Sequence, residues 1–140
     1  MITYIDTSAF LKLLLDDETG GAETVEQLWT SSAAVLCCEI GYVEARAASA
    51  AAHRARRLTT AGLREVRNAL ESLWAQIEVV PVSTALVRQA ADLAEAAGLR
   101  GYDAVHLAAA LAVPVDTLTS SDAKLCDAAA HHGLHVSNPA

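Results

Sequence analysis

The chain has 140 residues, 53% of them hydrophobic, enough apolar content for one packed core and too much for a disordered polar chain. Its 17 acidic residues against 10 basic ones give a formal charge of −7, opposite to the signature of a conventional nucleic-acid binder, so any nucleic-acid role has to rest on a local site. Charges or turn residues cut every apolar run before the ~18 residues a membrane span needs. The opening residues also lack the charged start, apolar run and cleavage site of a secretory signal, so the sequence predicts a cytoplasmic protein with no membrane contact. Cys37, Cys38 and Cys126 are an odd set without CxxC spacing. They are expected to be buried small hydrophobes, not disulfide partners or metal ligands.

In chain order, short β-branched runs alternate with longer alanine- and leucine-rich stretches, the pattern of an α/β domain with a mostly parallel sheet. The first predicted strand is Thr3-Tyr4-Ile5, and a helix through Ala9, Phe10, Leu11 and Leu14 follows at once. Asp16-Asp17-Glu18 reads as its solvated end, before a break at Gly20-Gly21. Next come a helix over 23–29, a strand at Ala34-Val35-Leu36 and a helix over 39–52. In that last helix Ile40, Val43 and Ala47 recur at helical spacing and predict its buried face. His53-Arg54-Ala55-Arg56-Arg57 is the most basic stretch. It suits either a phosphate-attracting patch or a solvated helix end whose arginines complement the dipole. A helix over 60–74, a strand over 77–80 and a helix over 83–97 stopped by Gly98 come next. Arg100-Gly101-Tyr102-Asp103 opens a helix running to Leu111, Pro114 ends it, and a strand over 115–118, a helix over 122–130 and a short strand at His135-Val136 complete the chain.

The candidate site residues are acids placed where such a sheet would use them. Ligands bind outside the carboxyl ends of parallel strands, and Asp6 directly follows the first strand. An Asp there also suits a plain helix cap. Asp122 stands in the same relation to the strand before it. Asp103 lies in the first turn of an almost wholly apolar helix, where the dipole favours an ionised carboxylate. Glu44 borders the predicted buried face, whereas Glu39 lies ~140° around the helix at ~100° per residue and reads as a helix-start carboxylate. Hard divalent cations take oxygen ligands of this kind, and a bound cation turns an acidic pocket into one that attracts phosphate. His106, one turn after Asp103, is expected to pack or hydrogen-bond, since Mg²⁺ prefers oxygen.

Ile5-Asp6-Thr7-Ser8-Ala9-Phe10 resembles the opening of PIN-domain toxins of the VapC family. Tyr42-Val43-Glu44-Ala45-Arg46, Tyr102-Asp103-Ala104-Val105-His106-Leu107-Ala108 and Ser120-Ser121-Asp122-Ala123-Lys124-Leu125 resemble its later acid segments, in the same order over nearly the whole chain. The resemblance implies a single three-layer α/β/α domain over residues 1–140 and an Mg²⁺- or Mn²⁺-dependent endoribonuclease serving as the toxin of a toxin–antitoxin pair. It implies a homodimer, a VapB-type antitoxin as partner and RNA as substrate. Asp6 and Asp103 would be direct metal ligands, with Glu44 and Asp122 completing the pocket. Thr7 and Ser120 fall where the family often has hydroxyls near the metal, although local capping explains them equally well. Cys37 and Cys38 depart from the pattern, since the family often has Ser or Thr six or seven residues before the central glutamate. Arg46 suits either a pair with the acids or a surface position, and Arg54, Arg56 and Arg57 are the candidate RNA contacts.

Two other classes compete. A catalytically inactive PIN-like module that only binds RNA or protein is disfavoured by the presence of all four acids. A receiver or phosphatase domain would also put an Asp after its first strand, but would need a lysine on the active edge, and Lys124 lies within the helix after the fourth acid.

Overall fold

The computed structural model describes residues 1–15 and 20–140. The expectation for Asp16-Asp17-Glu18 falls outside them. The elements are β1 (Ile2–Ile5), α1 (Thr7–Leu14), α2 (Ala22–Ser31), β2 (Ala34–Cys38), α3 (Ile40–Arg54), α4 (Thr60–Trp74), β3 (Glu78–Val80), α5 (Thr84–Ala97), α6 (Gly101–Leu111), β4 (Thr117–Thr119), α7 (Ala123–His131) and β5 (His135–Ser137). The strands form one sheet in the order β3-β2-β1-β4-β5, and every neighbouring pair is parallel.

Strand side chains alternate between two faces, and the two apolar cores follow that alternation. Tyr4, Leu36, Cys38, Val80 and Leu118 pack against α5, α6 and α7. Ile5, Val35 and Cys37 pack against α1 to α4. The result is a three-layer α/β/α arrangement with a sheet parallel throughout: the alternating sequence predicts the α/β class, and the family resemblance implies the three layers. Gly98 ends α5 in the left-handed region at φ 64°, where glycine carries no Cβ penalty. All three cysteines are buried and unpaired, as expected. Among the described residues no helix is long and apolar enough to cross a membrane.

Two expectations need correction. Strand β4 runs Thr117–Thr119, not over 115–118. Asp116 stands just ahead of it, with Oδ2 accepting from the Ile2 N–H at 2.7 Å, so the ladder begins only after that anchor. The buried face of α3 is not Ile40, Val43 and Ala47 but Gly41, Ala45, Ser49 and Ala52, and Val43 is 61% exposed. The cause is steric. A Cβ on Gly41 would sit 2.5 Å from Cys37 Sγ, so α3 lies against β2 through its smallest residues. Glu44, one turn after Gly41 and beside Ala45, still borders that face. Gly41→Val is expected to lose at least about 2 kcal/mol through overpacking. An unchanged urea unfolding midpoint would contradict the close approach.

Candidate active site

The strand order places a switch point at the centre of the sheet. From β1 the chain steps outward through β2 to β3 on one side, and β4 and β5 extend the other side. The crevice beyond the ends of β1 and β4 is therefore where such a sheet binds ligands. Asp6 follows β1 there and is only 3% exposed. Its Oδ1 accepts from the Ala9 N–H at 3.0 Å and the Ser8 hydroxyl at 2.7 Å, and its Oδ2 accepts from the Ser120 hydroxyl at 2.7 Å. Asp6 is thus the cap of α1 and a pocket acid at once. Burial pushes its pKa up, and the bonds from Ser120, Ala9 and Ser8 offset this only in part. Ser120 also accepts from the Asp122 N–H at 3.0 Å, which ties the β4 end to Asp6.

Glu44 reaches the same crevice from α3. Its Oε1 accepts from Thr7 Oγ1 at 2.7 Å and lies 2.7 Å from His106 Nε2. The hydrogen bonds around His106 define its tautomer. The Cys38 N–H donates to Tyr4 Oη at 2.9 Å, so the Tyr4 hydroxyl directs its own proton to His106 Nδ1, 2.7 Å away. Nδ1 is then the acceptor, and Nε2 carries the proton donated to Glu44. Burial raises the Glu44 pKa, but the bonds from His106 and Thr7, aided by the charge of Arg100, outweigh it and leave the carboxyl below its ordinary value. Glu44 is therefore a carboxylate at neutral pH. The hydrogen-bonding role expected of His106 holds.

Asp103 and Asp122 are joined by Arg100, which the sequence pattern marks only as the opener of a helix. Arg100 Nε donates to Asp103 Oδ2 at 2.9 Å, and its Nη2 donates to Asp122 Oδ2 at 3.2 Å. Asp122 Oδ1 meanwhile accepts from the Leu125 N–H at 3.0 Å and caps α7. The usable signal was the spacing, since an Arg three residues before an Asp at a helix start lies within reach of it. Arg46 sits elsewhere: its Nη1 donates to Tyr42 Oη at 2.9 Å, its guanidinium lies over the Tyr42 ring, and Tyr42 in turn donates to Glu71. The expected alternative pairing of Arg46 with the acids is thus replaced by a contact one turn back on its own helix. Glu39 is exposed and flanks the start of α3 without a side-chain cap. Arg54, Arg56 and Arg57 lie at the far end of α3, roughly 15 Å along its axis from Glu44 at ~1.5 Å per residue.

All four predicted acids thus converge on one edge of the sheet through Ser8, Ser120, Thr7, His106 and Arg100. Their donor set is oxygen throughout, as a hard divalent cation requires. A cation of the chain itself already bridges two of them. As placed, however, no three acidic, histidine or cysteine side chains among the described residues are gathered around one point closely enough to hold an ion. The donor chemistry fits a metal, and the cage is not preassembled.

An all-parallel α/β/α domain with carboxylates at its switch point is the layout of a PIN domain, and the PIN domain family matches residues 3–131. Ribonuclease VapC45 of Mycobacterium tuberculosis is 38% identical over 135 residues, covering 96% of this chain and 90% of that protein. Among solved structures, PAE2754 from Pyrobaculum aerophilum superposes with a TM-score of 0.72 at 17% identity, covering 97% of this chain and 83% of that one. A toxin–antitoxin complex from Klebsiella pneumoniae gives 0.66 at 16% identity, covering 99% and 98%. The chain belongs to the PIN-domain family, in its VapC branch.

Proposed function

We propose that residues 1–140 form one PIN domain that acts as an Mg²⁺- or Mn²⁺-dependent endoribonuclease, the toxin of a toxin–antitoxin pair working in the cytoplasm. The observation that carries this reading is the convergence of Asp6, Glu44, Asp103 and Asp122 on the switch-point edge, in a chain 38% identical to a ribonuclease. Asp6 and Asp103 would hold the ion directly, and Glu44 and Asp122 would complete the pocket. A bound divalent ion would supply activation of water and neutralisation of the phosphate charge. Ser8 and Ser120 fix the Asp6 carboxylate, and the Tyr4–His106 pair keeps Glu44 ionised and aimed into the crevice.

Purified protein incubated with structured RNA is expected to cut it in Mn²⁺ and to stop when a chelator is added. Equal RNA integrity with and without Mn²⁺ would favour the alternative, an inactive PIN-like module that only binds RNA or protein, which draws its support from the acids not being preassembled around an ion.

Two further contacts belong to the same reading. Joint replacement of Arg54, Arg56 and Arg57 is expected to weaken RNA binding and flatten its salt dependence, whereas an unchanged salt slope would return them to the role of a solvated helix end. A homodimer and a VapB-type antitoxin are the proposed protein partners. The exposed apolar side chains of Val43, Val79 and Val82, which line a groove with Ile40, Tyr42 and Trp74, support a covering chain. An antitoxin arginine would satisfy the clustered carboxylates and exclude the metal. Light scattering that shows only monomer at micromolar concentrations would remove the dimer. Inhibition that survives loss of every antitoxin tail arginine would remove that mode of inhibition.

A further inference from the structure

Arg100 enters the acidic pocket from the N-terminus of α6, with Nε on Asp103 at 2.9 Å and Nη2 on Asp122 at 3.2 Å. Two acids carried by different helices are thus bridged by one guanidinium. Both contacts use the edge running from Nε to Nη2, and no described residue takes the N–H groups of Nη1 or the outer N–H of Nη2. The Arg100 side chain is 78% exposed, so the unused end faces solvent. That end is the fork that matches two oxygens of a phosphate, and its charge is permanent.

The carboxylate oxygens divide accordingly. Asp122 has both engaged, Oδ1 by the Leu125 N–H and Oδ2 by Arg100. Asp103 Oδ1 and Glu44 Oε2 take no hydrogen bond from the described residues, so these two oxygens, with the Asp6 carboxylate, are the donors that Arg100 leaves to a divalent ion. An ion bridging Asp103 Oδ2 and Asp122 Oδ2 would have to displace the guanidinium that holds both.

We propose that Arg100 is the fixed second cation of this site: it holds Asp103 and Asp122 together, stands where a second divalent ion would otherwise bind, and presents its Nη end to the phosphate of the RNA. The inference rests on the ribonuclease reading above and deepens it. Two-ion nucleases set their cations ~4 Å apart to neutralise both sides of the reacting phosphate. Here one of those charges is built into the chain, and a protein with a formal charge of −7 keeps a phosphate-binding charge in its acidic pocket whatever the metal supply.

The test is Mn²⁺ binding by calorimetry and by electron paramagnetic resonance on wild type, Arg100→Met and Arg100→Lys, with circular dichroism to confirm folding. Met preserves the length and packing of the stem and removes the charge. The expected result is one Mn²⁺ per wild-type chain and a second in Arg100→Met. At saturating Mn²⁺, Arg100→Met is expected to cut RNA about 10–100-fold less efficiently, mainly through KM, and to lose roughly one unit of salt slope in RNA binding. Arg100→Lys is expected to keep the single-ion stoichiometry and recover part of the affinity. Two Mn²⁺ ions in an active wild type would overturn the proposal. So would an Arg100→Met protein that binds one Mn²⁺ more tightly and cuts as well as wild type, because Arg100 would then be only a competitor of the metal. Either result leaves the ribonuclease reading standing, whereas a wild type that neither binds Mn²⁺ nor cuts RNA removes both.

Discussion

Replacing Asp6 or Asp103 with alanine is expected to lower RNA cleavage at least about 100-fold while the protein stays folded, the size of effect seen when one charge-stabilising group is taken from an active site. The two substitutions act differently on the fold. Asp103 is held by Arg100 at the surface of the pocket, so its loss releases an exposed arginine and costs little. Asp6 caps α1, and losing the cap costs about 1 kcal/mol. Against that stands the burial of its charge, which raises its pKa. For a carboxyl with a raised folded pKa, ionisation costs stability at neutral pH, and that cost disappears as pH falls through the folded value. Asp6→Asn keeps a capping oxygen and removes the charge. Its melting temperature relative to wild type, measured without metal, is therefore expected to be most favourable at neutral pH and to shift in favour of wild type as the solution is acidified. A difference that does not change with pH would contradict a carboxyl whose pKa burial has raised. Equal cleavage by wild type and Asp6→Ala at matched Mn²⁺ would overturn the site assignment.

The largest expected loss of stability comes from Phe10→Ala, about 3–5 kcal/mol. Phe10 is fully buried on α1, stacked near Trp29 at 6.3 Å between ring centroids and set edge-on to Trp74 at 6.1 Å. It therefore joins α1 to α2 and to the end of α4. Ile5, Leu14, Leu70 and Ile77 share its core cluster, with Trp29 and Trp74 packed against it, and so closely packed a surround relaxes only partly into the cavity left by the ring. The loss is a large share of the ~5–15 kcal/mol that holds a domain together. Because Asp6 caps the same helix, the damage should reach the site as well. Urea unfolding that shows a loss below about 1 kcal/mol would contradict this packing.

Much of the layout was legible from local pattern. The helix at Thr60–Trp74 falls at the bounds the sequence predicts, and Gly98 marks the end of α5. The strand-end rule also picked out Asp6 and Asp122, since a polar residue after a short β-branched run has few other places to be. The face of α3 was not legible, because an alanine-rich helix is apolar nearly all round and its orientation is decided by how closely Gly41 can approach Cys37. The Tyr4–His106–Glu44 chain was hidden for another reason. Its members stand far apart in sequence, and only the parallel stacking of β1 beside β2, with α3 and α6 on opposite faces, brings them together. Arg100 escaped notice because helix-start signals explained the residues around it before any partner was in view.

The most direct measurement is anomalous scattering from a crystal of the protein grown or soaked with Mn²⁺. A manganese peak is predicted in the crevice beyond β1 and β4, within coordination distance of Asp6 and Asp103. Saturating Mn²⁺ that leaves those carboxylates bare, or that binds only at another site, would contradict a metal-dependent active centre at this edge of the sheet.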